Sequence, residues 1–194
     1  MNIRDATRDD AKALAYLINL AGEGIPEYFW KTMAAEGELP LAVGAERARR
    51  EEGNFSYKNA KVCVENDQVA GMILSYKLPA PYLLGNLAEY PELVHPLVKL
   101  EAQVPGSWYI NAVATFEEFR GRGIATLLLR HAEEQAHQAA CNTLSLIVAS
   151  ENINAVKLYE KLGFIRISTL PVILYEGCMH GGKWILMTKN ISTI

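Results

Sequence analysis

The segment FRGRGIATLLL, Phe119 to Leu129, restricts this chain more than any other stretch. A strand-like run ends, Gly121 and Gly123 follow one residue apart, and a striped helix opens. Ile124, Leu127, Leu128, His131 and Gln135 recur at helical spacing, with Ala132, Ala136 and Ala139 beside them. The first turn of a helix has backbone N–H groups with no internal partner, and the macrodipole adds partial positive charge there. Glycines at the entrance let an anion approach the main chain. The turn is therefore competent to cradle a pyrophosphate, and Arg120 and Arg122 can add charge-assisted contacts. It is not a P-loop, because no Gly-Lys-Ser/Thr follows. It is not a dinucleotide fingerprint either, because Thr126 stands where the third glycine is due.

The rest of the chain reads as alternating short elements. Asn2 to Ala6 suggests a strand. Thr7 with Asp10 resembles a capping box ahead of a helical stripe at Leu14, Leu17, Ile18 and Ala21. Helical stretches near Glu27 to Ala35 and Leu41 to Glu52 follow. In the second, Arg47, Arg49 and Arg50 beside Glu46, Glu51 and Glu52 read as a solvated face. Lys61–Glu65 and Val69–Lys77 read as a hairpin turning at Asn66-Asp67. Residues 79–106 hold five prolines and a short helical pattern at Leu93, Leu97 and Leu100, an insertion between strands. Strands at Trp108–Thr115 and Thr143–Ala149 flank the striped helix. A shorter helix at Ala155, Leu158, Tyr159 and Leu162 stops at Gly163. Phe164–Leu170 and Lys183–Lys189 complete the set. This order predicts an α/β (α+β) fold: one domain over 1–194, with a mixed, twisted central sheet and helices on both faces.

Half of the 194 residues are hydrophobic, enough for a sizeable core. The net charge of -3 supplies no basic footprint for nucleic acid and no polybasic membrane contact. Cys63, Cys141 and Cys178 make neither a CxxC pair nor a zinc spacing. Cys63 and Cys141 read as buried thiols, in keeping with a reducing compartment. No apolar run approaches about 18 residues, and the N-terminus has no apolar signal region. A cytoplasmic protein is the expectation. His95, His131, His137 and His180 are scattered, so no metal site is expected.

Two motifs in order narrow the reading. Arg120, Gly123 and Ala125 fill R-x-x-G-x-A, which resembles the coenzyme A loop of the GNAT superfamily of N-acetyltransferases. Downstream, ENINAVKLYEKLGF resembles that family's second signature, N-x-x-A-x-x-L-Y-x-x-x-G-F, through Asn152, Ala155, Leu158, Tyr159, Gly163 and Phe164. The resemblance is strong over 105–190 and weaker over 1–78, and 79–106 lies outside it. It implies a GNAT-like sheet with a splayed parallel strand pair, Trp108–Thr115 and Thr143–Ser150, that holds the cofactor. It further implies acetyl-CoA as cosubstrate, with Val113, Ala114 and Thr115 along pantetheine. Arg120, Gly121, Arg122, Gly123, Ile124, Ala125 and Thr126 would hold the pyrophosphate. Asn152 would add a cofactor-side hydrogen bond, although its bare position suggests a helix N-cap.

The implied reaction is direct attack of an amine on the thioester. A lysine-like amine, with pKa near 10.4, must first lose a proton. The oxyanion needs a donor, for which a backbone N–H near Val113 is the candidate. The leaving thiolate needs a proton, and the resemblance implies Tyr159 as the acid. A core aromatic is the plain alternative for Tyr159. Many relatives carry a Glu on the central strand, but here the strand reads Trp108, Tyr109, Ile110, Asn111, Ala112, Val113. Asn111 can orient a water or the amine. Glu101, Tyr109 and a water chain remain as routes for the proton. Residues 79–106, with Tyr82 and Tyr90, and Ile25–Ala35 are expected as acceptor-side walls. The acceptor would be an amine of a small molecule or peptide. A homodimer is compatible with the resemblance, and a non-catalytic acyl-CoA-binding sensor is the alternative function.

Overall fold

In the computed structural model, which describes residues 1–191, the strands are β1 (Asn2–Asp5), β2 (Ala60–Glu65), β3 (Gln68–Lys77), β4 (Trp108–Thr115), β5 (Thr143–Ala149), β6 (Ile165–Pro171) and β7 (Lys183–Asn190). The helices are α1 (Ala11–Ala21), α2 (Ile25–Met33), α3 (Pro40–Ala48), α4 (His95–Glu101), α5 (Ile124–Gln138) and α6 (Ile153–Lys161). The expected single domain over 1–194 extends to three residues that lie outside those described. The strand order β1-β2-β3-β4-β5-β7-β6 makes a mixed sheet of seven strands among the described residues. β4 and β5 run parallel, pairing Trp108 with Leu144, Tyr109 with Ser145 and Ile110 with Leu146. The other recorded pairs, β1–β2, β2–β3, β5–β7 and β6–β7, are antiparallel.

The chain forms two compact units, Met1–Tyr76 with Asn111–His131 and Lys77–Ile110 with Ala132 onward. In the first, Asn66 and Asp67 both take positive φ, 50° and 60°, the backbone a tight two-residue hairpin requires. Leu14, Leu17, Val62, Met72 and Leu74 are fully buried in one apolar cluster with Trp30 and Ala112. Gly44 of α3 lies against the ring of Trp30 from α2, and a Cβ there would come within 2.5 Å of it. α2 begins at Ile25, two residues before the expected start, because Gly24 at φ 88° and Pro26 set its first turn. α3 ends at Ala48 rather than Glu52. Glu51, beyond that end, is held by Arg8, Lys58 and the Tyr57 hydroxyl instead of extending the helix.

In the second unit, Leu144, Leu146, Ile185, Leu186 and Met187 fill the β5–β7 core, and each is at least 98% buried. α4 packs against β6 and β7. α6 is capped at both ends. The Asn152 side chain accepts from the Ala155 N–H at 3.3 Å. Gly163, at φ 90°, lets the Phe164 N–H return to the Tyr159 carbonyl at 3.0 Å.

The capping box forms as read. The Asp10 carboxylate accepts the Thr7 N–H at 2.7 Å and both Arg4 nitrogens, at 2.7 and 2.9 Å. The Arg4 guanidinium holds the Asp10 carboxyl below the usual carboxylate range. A depressed folded pKa stabilises the protein above the unfolded value, near 3.9, and that contribution is lost as pH falls through the folded value. Asp10→Asn should therefore lower stability by about 1–2 kcal/mol at neutral pH. The gain stays modest because the Arg4 side chain is 41% exposed. Urea unfolding of the two proteins between pH 7 and pH 2 should give curves that converge in acid.

Candidate functional site

The glycine turn precedes α5 as read. Gly121 and Gly123 have φ of 75° and 80°, left-handed values that side chains resist. A Cβ built on either meets no heavy atom within 4 Å. Both residues are exposed, so the turn is open, with room beside the main chain where a side chain would otherwise sit. The Leu127 N–H closes the first recorded helical bond, onto the Gly123 carbonyl at 3.0 Å. The Ile124, Ala125 and Thr126 N–H groups therefore have no partner within the helix. Main-chain donors, an opening and a helix N-terminus suit a diphosphate. Ile124 is 1% exposed, so its side chain belongs to the core.

The two arginines of the turn differ. Arg120 is exposed and has no ion-pair partner among the described residues. Arg122 donates to Glu65 at 2.9 Å and to the Glu118 carbonyl at 3.2 Å. Its guanidinium lies 5.4 Å from the centre of the Phe119 ring. Arg122 thus ties the turn to the end of β2, and Arg120 is the freer cation. Asn111, Val113 and Thr115 on β4 are half-buried, as is Ala114. The Phe116 N–H bonds the Ala70 carbonyl at 3.0 Å, anchoring this end of β4 to β3.

Sequence reading passed over Gly71. A Cβ there would stand 2.8 Å from the Ala114 carbonyl, 3.0 Å from Ile124 Cγ2 and 3.2 Å from Thr115 Oγ1. Its bare Cα lets β4 and the start of α5 close up on β3. The signal was available, since a glycine inside an apolar strand marks a close approach.

In the second unit, Asn152 is the N-cap of α6, with its side-chain oxygen on the Ala155 N–H. Tyr159 is 8% exposed, with its ring centre 5.9 Å from that of Phe164. Its stripe is the buried face of α6, shared with Val156.

The same unit holds a carboxylate bonded by two phenols. Glu101, the last residue of α4, accepts the Tyr82 hydroxyl at 2.9 Å and a hydrogen bond from Tyr109 of β4. Burial pushes the Glu101 carboxyl above its ordinary value, against the opposing hydrogen bonds of the two phenols. The Tyr82 phenol is pushed up as well, first by burial and then by the facing carboxylate. Cys63 and Cys141 are buried thiols, as expected, and burial raises both. Among the described residues no group of three or more His, Cys, Asp or Glu is placed to hold a metal ion. No helix there is long and apolar enough to cross a membrane.

A mixed sheet whose central strand leads into an open glycine turn and a helix N-terminus defines the class as an α/β protein. This chain belongs to the acetyltransferase (GNAT) family, whose profile matches residues 25–164. It is 35% identical over 81 residues to a Bacillus subtilis (strain 168) protein named "Uncharacterized N-acetyltransferase YdgE", covering 42% of this chain and 46% of that one. The matches span less than half the length of the curated relatives. A solved acetyltransferase structure superposes with a TM-score of 0.69 over 99% of this chain and 100% of the other, at 23% identity. A Drosophila melanogaster polyamine N-acetyltransferase superposes at 0.68 over 97% and 99%, at 14% identity. At these identities the two superpositions speak for the fold alone.

Proposed function

We propose that this chain transfers the acetyl group of acetyl-CoA to a primary amine of a small molecule or peptide, by direct attack in a ternary complex. The observation that carries the proposal is the open, left-handed Gly121–Gly123 turn at the N-terminus of α5. In this reading the Gly121 to Thr126 main chain and Arg120 hold the diphosphate, with Arg122 fixing the turn. The β4 backbone from Val113 through Ala114 to Thr115 pairs with the pantetheine amides. A β4 N–H near Val113 stabilises the oxyanion. Asn111 orients the amine or a water, and Asn152 adds a hydrogen bond on the cofactor side while capping α6. Tyr159 delivers a proton to the leaving sulfur. Residues 79–106 form the acceptor side, and the cytoplasm is the proposed setting.

Titration calorimetry with CoA and acetyl-CoA, followed by thiol release across a panel of amines, tests this reading. Binding in the micromolar range, about −8 kcal/mol, together with amine-dependent release is expected. Absence of binding overturns it.

A further inference from the structure

We propose that Glu101 is the base that takes the proton from the acceptor, and that the acceptor is accordingly a charged alkyl ammonium. The inference rests on the transferase reading and supplies what β4 lacks, since Asn111 cannot accept a proton from an ammonium ion.

The arrangement around Glu101 carries the proposal. Buried carboxylates are normally paired with a cation. Glu101 has instead two phenol donors, Tyr82 from the 79–106 segment and Tyr109 from β4. No Lys, Arg or His forms an ion pair with it among the described residues. On β6 and β7, the strands packed against α4, Arg166 is held by Glu160 and Lys189 by Glu133, and Lys183 is exposed. On α4 itself Lys99 is exposed and His95 Nε2 lies 2.9 Å from the Tyr90 carbonyl oxygen. A carboxylate offers about four lone-pair positions, so two phenols leave room for a third donor. Glu101 is largely buried but keeps part of its surface exposed, so a small ligand can reach it. Burial raises the carboxyl, which moves a glutamate toward the range where a base works best.

The step balances. The ammonium gives one proton to Glu101, and the freed nitrogen lone pair bonds to the thioester carbonyl carbon. The carbon–sulfur bond breaks, Tyr159 delivers its phenolic proton to sulfur, and the second nitrogen proton passes through solvent to restore the phenol. Glu101 then releases its proton to solvent. Substrate ammonium and acetyl-CoA become amide, CoA thiol and one proton.

The test follows an alkylamine acceptor that the wild-type chain acetylates. At pH 7 roughly one such amine in 2,500 is neutral for a pKa near 10.4. Glu101→Gln should lower kcat/KM at pH 7 by about 10²–10³-fold, leave calorimetric acetyl-CoA affinity unchanged, and regain rate as pH rises. Tyr82→Phe removes a hydrogen bond that favours the carboxylate. It should move the acid limb of kcat/KM upward, together with the ¹³C carboxyl titration of Glu101 in the ligand-free protein. Unaltered rate and pH profile in Glu101→Gln overturn the proposal. So does a Tyr82→Phe protein whose Glu101 titration moves while the acid limb stays. Wild-type protein that binds acetyl-CoA yet releases thiol with no amine overturns the transferase reading itself.

Discussion

Tyr159→Phe is expected to lower turnover by about 10²–10⁴-fold while leaving acetyl-CoA affinity nearly intact. The substitution removes one oxygen. The ring keeps its place beside Phe164, at a centre-to-centre distance of 5.9 Å. The close of α6, where the Phe164 N–H reaches the Tyr159 carbonyl and Gly163 turns at φ 90°, involves only main chain. Folding should therefore survive, with a loss on the order of 1 kcal/mol for the hydroxyl's own contact. Chemistry is affected differently, because a thiolate leaving without a proton source raises the barrier of that step alone. Steady-state assays of amine-dependent thiol release, paired with calorimetry on the same protein, separate the two. A Tyr159→Phe chain with wild-type turnover would mean that the ring is only a core aromatic.

The sequence reading and the structure agree where a local rule decides. Asn66 and Asp67 are residue types that tolerate positive φ, and both adopt it. β5 occupies Thr143–Ala149 as read, because a seven-residue, mostly apolar segment with β-branched residues is too short for a core helix and suits a buried strand. The glycines before α5 were legible for the same reason. Long-range pairings were not, apart from the parallel β4–β5 pair that the resemblance implied. Nothing in Lys183–Asn190 says that β7 inserts between β5 and β6, since that choice is made by seven antiparallel partners from Thr143–Asn190 to Ala149–Trp184. Glu101 illustrates the same point at the site. In sequence it ends a modest Leu-rich pattern, and only the fold brings Tyr82 and Tyr109, on separate elements, to its oxygens. Asn152 was ambiguous because an N-cap and a ligand contact use the same side-chain oxygen; the structure shows the cap.

Gly123→Val should weaken CoA binding by about 10–100-fold, the loss of one charge-assisted contact at about 1.5–3 kcal/mol. Two effects act at once. Valine at φ 80° is strained by roughly 1–2 kcal/mol, and its branched Cβ occupies space that is open in the structure. The strain alone would lower the melting temperature by about 2–8 °C for a chain of this size, whether or not the turn binds anything. Gly37 separates the two effects. It too has φ 80° and no heavy atom within 4 Å of an added Cβ, but it belongs to the α2–α3 connection and not to the turn that opens α5. Gly37→Val should show the same fall in melting temperature with CoA affinity preserved. If both variants bind CoA as the parent does, the turn is not the diphosphate cradle. If both lose affinity equally, the loss is one of global stability. Only a loss confined to Gly123→Val ties the ligand to the main-chain amides that begin α5.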